Sequence, residues 1–161
     1  MAGAPAGRRH TIGHTFSRIF LHVVFSTKCR RNSLYKDMRG DLMAYLHGIA
    51  RNRGVRIVKA NAVDDHVHLL LETKTKHSPS DVVRTLKANS SRWLYETYDT
   101  LHDFAWQSGY AVFSASQSAV GDLIVYIERQ EEHHRRMSFE EELRLLLARH
   151  GVEHDPEHYL D

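Results

Sequence analysis

The stretch Asp64-Asp65-His66-Val67-His68-Leu69-Leu70-Leu71-Glu72 sets two histidines two positions apart at the start of an apolar run. Side chains alternate between the two faces of a β-strand, so His66 and His68 point to the same face. The opposite face carries three aliphatic side chains, Val67, Leu69 and Leu71. We expect that face to be buried and the histidine face to hold a cation. Two incidental histidines beside a polar cleft would show the same spacing.

Length and composition favour an ordinary globular protein. The chain has 161 residues, of which 42% are hydrophobic and 26% charged. We expect a disordered leader over residues 1–13 and one domain over residues 14–161. No apolar run is long enough to span a membrane, and the start has no apolar signal-peptide core. The single cysteine, Cys29, excludes an intramolecular disulfide, so we expect a cytoplasmic protein.

Charge is distributed unevenly along the chain. Residues 1–100 hold 17 Lys and Arg against 8 Asp and Glu, a balance of +9, whereas residues 101–161 hold 5 against 12, a balance of −7. This asymmetry indicates a basic surface that holds the phosphates of nucleic acid. Two solvated faces of opposite charge that attract one another are the alternative. The basic residues expected at DNA are Lys28, Arg30, Arg31, Lys74, Lys76, Arg84, Lys87 and Arg92.

The order of predicted elements is β-α-β-β-α-β-α, followed by one further helix. The predicted strands are residues 17–26, 55–63, 66–72 and 106–115, and the predicted helices are residues 37–52, 78–98, 120–134 and 138–150. A tight turn at Asp64-Asp65 joins the second and third strands. The order indicates an α+β fold in which helices pack on one face of an antiparallel sheet, of the ferredoxin-like or RNA-recognition (RRM-like) kind.

The predicted helix over residues 120–134 carries a second set of functional candidates. Its apolar stripe, Val120, Leu123, Ile124 and Ile127, is expected to face the sheet. Tyr126 and Gln130 are four residues apart, so they lie on one side of the helix beside that stripe. We expect both to point into the crevice between helix and sheet, although Tyr126 could instead be a tyrosine at the edge of the core.

Several segments, taken together and in order, resemble one family. They are His22–Lys28, Asp65–Leu70, Trp106–Tyr110, Phe113-Ser114, Tyr126–His134 and Met137–Glu142. This pattern resembles the HUH superfamily of single-strand DNA nucleases, in which a hydrophobic residue separates two metal-binding histidines. More narrowly, it is similar to the single-tyrosine transposases of bacterial insertion sequences and their REP-associated relatives.

The resemblance implies a ferredoxin-like/RRM-like HUH nuclease fold and a specific chemistry. It assigns His66, His68 and Gln130 as metal ligands and Tyr126 as the catalytic nucleophile. It further implies a divalent metal (Mg²⁺ or Mn²⁺), a covalent 5′-phosphotyrosine intermediate, hairpin-containing single-stranded DNA as partner, and a homodimer. No nucleotide cofactor and no membrane are implied. Ligand chemistry alone favours Mn²⁺, Zn²⁺ or Co²⁺, because Mg²⁺ prefers oxygen ligands.

Three alternatives remain open from the sequence. A replication initiator or conjugative relaxase of the same superfamily would share the chemistry, although the chain is small and has no helicase-like extension. A domesticated protein could bind hairpin DNA without cleaving it. A zinc hydrolase could use His66 and His68 with one of the carboxylates, and its activity would not depend on Tyr126.

Overall fold

A four-stranded antiparallel sheet forms the centre of the protein. The computed structural model describes residues 15–159. The strands are β1 (Ile19–Ser26), β2 (Arg56–Ala62), β3 (His66–Thr73) and β4 (Ala111–Ala115), arranged in the order β2-β3-β1-β4. β2 and β3 form the predicted tight hairpin, in which the amide of Val63 donates to the carbonyl of His66 over 3.1 Å. The α+β class with an antiparallel sheet is therefore confirmed.

One face of the sheet carries the main core. Val67, Leu69 and Leu71 of β3 lie on this face and are fully buried, as their alternation predicts. Two helices, α1 (Arg39–Asn52) and α2 (Pro79–Thr97), cover it. α2 begins at Ser78 with Pro79 in its first turn, where a missing amide hydrogen costs no hydrogen bond.

Three further helices cover the second face, so the prediction that helices pack on one face only is wrong. They are α3 (Val120–Glu128), α4 (Gln130–Arg136) and α5 (Phe139–Arg149). The reason is that the second face is itself largely apolar, because Phe20, Val24, Leu70 and Phe113 lie on it beside the histidines. Apolar side chains of α3 and α5 pack against these residues and remove them from water.

The predicted helix over residues 120–134 is divided at Arg129. α3 ends at Glu128, α4 begins at Gln130, and Arg129 between them has φ −90° and ψ 16°. The side-chain amide of Asn61 in β2 donates to the carbonyls of Ile127 over 2.8 Å and Glu128 over 3.3 Å. A side chain that donates to main-chain carbonyls of a helix in this way interrupts the hydrogen bonds within the helix. The apolar stripe of α3 nevertheless faces the sheet as predicted.

Other element boundaries follow local signals. α5 begins with the predicted capping box, since the Ser138 hydroxyl accepts from the amide of Glu141, whose side chain accepts from the amide of Ser138. It ends before Gly151, which has φ 62°. β4 is shorter than predicted, because only an isolated bridge between Thr27 and Trp106 precedes it.

Two expectations concern the extent of the chain. The predicted leader, residues 1–13, lies outside the described residues, so the division into a leader and one domain over residues 14–161 stays a prediction. Within residues 15–159, each helix is too short or too polar to cross a membrane.

Replacing Leu69 with alanine tests the central position of β3. Leu69 is fully buried between the sheet and the two helices on the first face, so Leu69→Ala should lower the free energy of unfolding by about 2–5 kcal/mol. Leu145→Ala is the matched control, because Leu145 is 57% exposed and its loss should cost less than about 0.5 kcal/mol. Urea unfolding measures both, and equal losses would contradict the assigned core.

Candidate functional site

The four residues singled out from the sequence come together on the second face of the sheet. His66 and His68 project from β3, Tyr126 from the last turn of α3, and Gln130 from the first residue of α4. His66, His68 and Gln130 are at most 1% exposed, whereas Tyr126 is half-buried. Although Arg129 interrupts the helix, Tyr126 and Gln130 stay on the same side of it.

The distances define a small site between the strand and the helices. Gln130 Oε1 lies 3.4 Å from His66 Nε2. The ring of Tyr126 stands edge-on to the ring of His68, with 5.8 Å between the centroids. The ring of His133 also packs edge-on against Tyr126, with 4.9 Å between the centroids. One chain therefore brings the candidate nucleophile and the candidate ligands together.

Two neighbouring groups orient the histidine rings. Asp65 Oδ1 accepts a hydrogen bond from His66 Nδ1 over 2.7 Å. His22 Nε2 lies 2.9 Å from His68 Nδ1, and burial lowers the pKa of His22 to about 3, so this partner is neutral at pH 7. Both Nδ1 atoms are therefore engaged, and both Nε2 atoms are directed at the interior of the site. Ligating histidines in metal sites are held in this way.

A fifth residue, Glu142 of α5, lies among the other four. Its Oε1 accepts hydrogen bonds from the Tyr126 hydroxyl and, over 2.9 Å, from Gln130 Nε2. Its Oε2 lies 3.3 Å from His66 Nε2, and its Oε1 lies 3.3 Å from His68 Nε2. The sequence patterns assign no role to Glu142. The available signal was an acid three residues after Phe139 and four before Leu146, on the buried stripe of an amphipathic helix.

The buried charges change the proton affinities of their neighbours. Burial alone would lower the pKa of His66, but its hydrogen bonds to Asp65 and Glu142 outweigh burial and raise the pKa to about 9. Burial opposes ionisation of Glu142 as well, yet the adjacent imidazoles of His66 and His68 hold its pKa well below the usual range. Burial and the Glu142 carboxylate raise the pKa of Tyr126 above that of a free phenol.

The donor set fits a divalent cation. His66, His68 and Glu142 place one ligand atom each within 4.8 Å of one another. His68 Nε2 is buried and, among residues 15–159, has no hydrogen-bond partner, because its 3.3 Å contact with Glu142 is poorly aligned. Imidazole nitrogens together with carboxylate and amide oxygens suit Mn²⁺, Zn²⁺ or Co²⁺. Protonation of His66 competes with any such cation for Nε2.

A cavity of about 480 Å³ adjoins the tyrosine. Its wall includes Tyr126, Leu123 and Leu146, and the exposed Arg149 lies at its edge together with His150. This opening gives Tyr126 access to solvent. It is large enough for a nucleotide and is lined by one cationic side chain, Arg149, and one acidic side chain, Asp122.

The basic residues of α2 do not contribute to this site, because α2 covers the first face of the sheet. Lys87 donates to the carbonyls of Gln107 over 2.7 Å, Ser108 over 3.1 Å and Gly109 over 2.8 Å. Its ammonium group therefore fixes the segment before β4, and its contact with DNA stays a prediction. Arg84 and Arg92 pair with Asp81 and Glu96 on their own helix.

Comparison with known proteins gives consistent results. Residues 15–130 match the family described as "Transposase IS200 like". The chain is 32% identical over 132 residues to the transposase of insertion sequence element IS200 from Salmonella typhimurium, covering 78% of this chain and 86% of the relative.

Two solved structures are similar to this one. A candidate transposase from Deinococcus radiodurans has a TM-score of 0.59 and 26% identity, covering 73% of this chain and 95% of that chain. A REP-associated tyrosine transposase bound to a REP hairpin has a TM-score of 0.58 and 15% identity, covering 72% of this chain and 68% of that chain. The second likeness concerns the fold alone.

Replacing Asp65 with asparagine tests the orientation of His66. The change removes the carboxylate that accepts from Nδ1, so we expect Mn²⁺ to bind about 10- to 100-fold more weakly. Asp64→Asn is the control, since the Asp64 carboxylate pairs with Arg39 instead of with His66. Isothermal titration calorimetry measures both affinities. Equal affinities in the two variants would show that Asp65 does not support a metal-binding histidine.

Proposed function

The chain belongs to the IS200-like transposase family, and on that premise we propose that it cleaves and rejoins single-stranded DNA through a covalent 5′-phosphotyrosine at Tyr126. The observation that carries the proposal is the position of Tyr126 in one buried site with His66, His68 and Gln130. A nucleophile, two imidazoles and an amide oxygen on one face of a sheet are the parts that strand cleavage needs.

Tyr126 is the nucleophile of the proposed reaction. Its phenolic oxygen attacks the scissile phosphorus, so a bond forms between this oxygen and phosphorus while the bond from phosphorus to the 3′-oxygen breaks. The products are a 5′-phosphotyrosine and a free 3′-hydroxyl. A different 3′-hydroxyl then attacks the phosphotyrosine and releases Tyr126. This step rejoins DNA without ATP, because the bond between tyrosine and phosphate conserves the energy of the phosphodiester. The Tyr126 proton, held against Glu142 Oε1 in the DNA-free protein, leaves during the attack, and the departing 3′-oxygen takes up one proton, so the step is balanced.

His66, His68 and Gln130 are the proposed ligands of the divalent metal, Mg²⁺ or Mn²⁺. When bound, such an ion polarises the scissile phosphate and offsets the charge that develops on the 3′-oxygen. Asp65 and His22 hold the two rings so that the Nε2 atoms face inward. Gln130 is oriented by its own amide nitrogen, which donates to Glu142 and turns Oε1 toward His66.

The DNA strand is proposed to reach Tyr126 through the adjoining cavity. Leu123 and Leu146 form an apolar wall on which a base packs, and Arg149 neutralises a neighbouring phosphate. The structural relative that is bound to a REP hairpin supports a hairpin as part of the substrate. The homodimer and the cytoplasmic site of action implied by the resemblance belong to the same proposal, and light scattering of the protein with and without hairpin DNA tests the dimer.

Tyrosine 126 is tested by replacing it with phenylalanine. Wild-type protein incubated with hairpin-bearing single-stranded DNA and Mn²⁺ should give a covalent protein–DNA band on a denaturing gel, and Tyr126→Phe should give none while still binding the DNA. Tyr110→Phe is the control, because Tyr110 is 40% exposed and its ring contacts the ammonium group of Lys87. Hairpin binding by wild-type protein without an adduct would instead favour the non-cleaving hairpin-binding protein.

Arg149→Ala tests the proposed path of the DNA. Loss of one phosphate contact should raise the Kd for single-stranded DNA several-fold and reduce the slope of log K against log salt by about 0.7. Arg144→Ala on the same helix is the control, since Arg144 pairs with Glu140. Fluorescence anisotropy across a salt series measures both slopes. An identical salt dependence in the two variants would place the strand elsewhere.

A further inference from the structure

A buried carboxylate on the apolar stripe of α5 requires an explanation. Glu142 is 5% exposed and sits between Phe139, Leu143 and Leu146, all of which are buried. An ionised carboxylate loses several kcal/mol of hydration on burial unless polar partners compensate it. Here every partner belongs to the proposed cleavage site, so Glu142 is held where the other functional groups meet.

Packing of α5 fixes the position of that carboxylate. Phe139, Leu143, Leu146 and Leu147 form a cluster with Val24 and Phe113 of the sheet. The ring of Phe139 lies against the ring of His66, with 4.6 Å between the centroids. The capping box at Ser138 sets the start of the helix three residues before Glu142 is reached. The packing of α5 therefore places the carboxylate beside His66 and His68.

Three distances between donor atoms match those of a coordination shell. Glu142 Oε2 is 3.3 Å from His66 Nε2, and Glu142 Oε1 is 3.3 Å from His68 Nε2. Gln130 Oε1 is 3.4 Å from His66 Nε2. Donors bound to one ion at about 2.1 Å are about 3.0 to 3.4 Å apart in octahedral or tetrahedral shells. The observed contacts fall in that range, and they are long for charge-assisted hydrogen bonds.

The unpaired nitrogen of His68 is a second, independent observation. Among the described residues, 15–159, His68 Nε2 has no hydrogen-bond partner although it is buried and faces Glu142. Its other nitrogen is engaged with His22. A buried ring nitrogen without a partner is costly, and a cation between His68 and Glu142 would satisfy it.

We infer that Glu142 is a fourth protein ligand of the divalent metal ion in the DNA-free protein, beside His66, His68 and Gln130. The inference rests on the metal site of the proposed function and adds a charged ligand to it. Four protein donors leave two positions of an octahedral shell, the geometry that Mg²⁺ and Mn²⁺ prefer, for phosphate oxygens of the DNA.

Titration of the DNA-free protein with Mn²⁺ tests this role. Glu142→Gln keeps the size of the side chain but removes its charge, and it should weaken Mn²⁺ binding at least about tenfold in calorimetry. Glu140→Gln is the matched control on the same helix, because Glu140 pairs with Arg144 at the surface. Glu142→Asp keeps the charge but withdraws the carboxylate by one methylene, so its affinity should also fall below that of wild-type protein.

Thermal unfolding gives a second readout that does not require DNA or cleavage. Added Mn²⁺ should raise the Tm of wild-type protein and of Glu140→Gln, and should raise that of Glu142→Gln much less. The Tm of each variant without metal shows whether it is folded.

The outcomes separate this inference from the function on which it rests. If wild-type protein binds Mn²⁺, His66→Ala does not, and Glu142→Gln binds as tightly as wild type or more tightly, the metal site stands and Glu142 is not a ligand. If wild-type protein binds neither Mn²⁺ nor Co²⁺, the metal site of the proposed function fails together with the role of Glu142. Covalent DNA attachment at Tyr126 is assayed separately and bears only on the nucleophile.

Discussion

Burial of two imidazoles on an apolar sheet face is the constraint on which the rest of the site depends. Side chains of β3 alternate between the two faces of the sheet. Because Leu69 is buried under α1 and α2, His66 and His68 lie beneath the helices of the second face. Buried polar atoms need partners. Asp65 binds Nδ1 of His66, and His22 binds Nδ1 of His68. The Nε2 atoms of both rings face groups that α4 and α5 supply.

The same constraint explains why the site is assembled from distant parts of the chain. Tyr126 and Gln130 reach it because the apolar stripe of α3 packs on Leu70 and Phe20 of the sheet. Glu142 reaches it because α5 covers Val24 and Phe113. The Tyr126 hydroxyl donates to Glu142, and burial with this carboxylate raises its pKa, so the DNA-free arrangement holds the proposed nucleophile in its protonated form.

Local patterns in the sequence predicted the features that depend on interactions between residues close together in the chain. The His66–His68 spacing, the Tyr126–Gln130 spacing and the Ser138 capping box each depend on a few neighbouring residues, and each is found as expected. The remaining features depend on contacts between distant residues. Asn61 ends α3, and Lys87 binds carbonyls twenty or more positions away. The second layer of helices and the position of Glu142 likewise depend on which side of the sheet each helix covers.

The central claim is that one site joins a metal-binding histidine pair to a nucleophilic tyrosine. Peptide mapping by mass spectrometry of protein incubated with hairpin-bearing single-stranded DNA and Mn²⁺, followed by nuclease digestion, tests it most directly. The account predicts a phosphonucleotide on the peptide that contains Tyr126, absent when EDTA is added and absent in a His66→Ala, His68→Ala double variant. Attachment at another tyrosine, or attachment that persists without metal and without both histidines, would contradict the account.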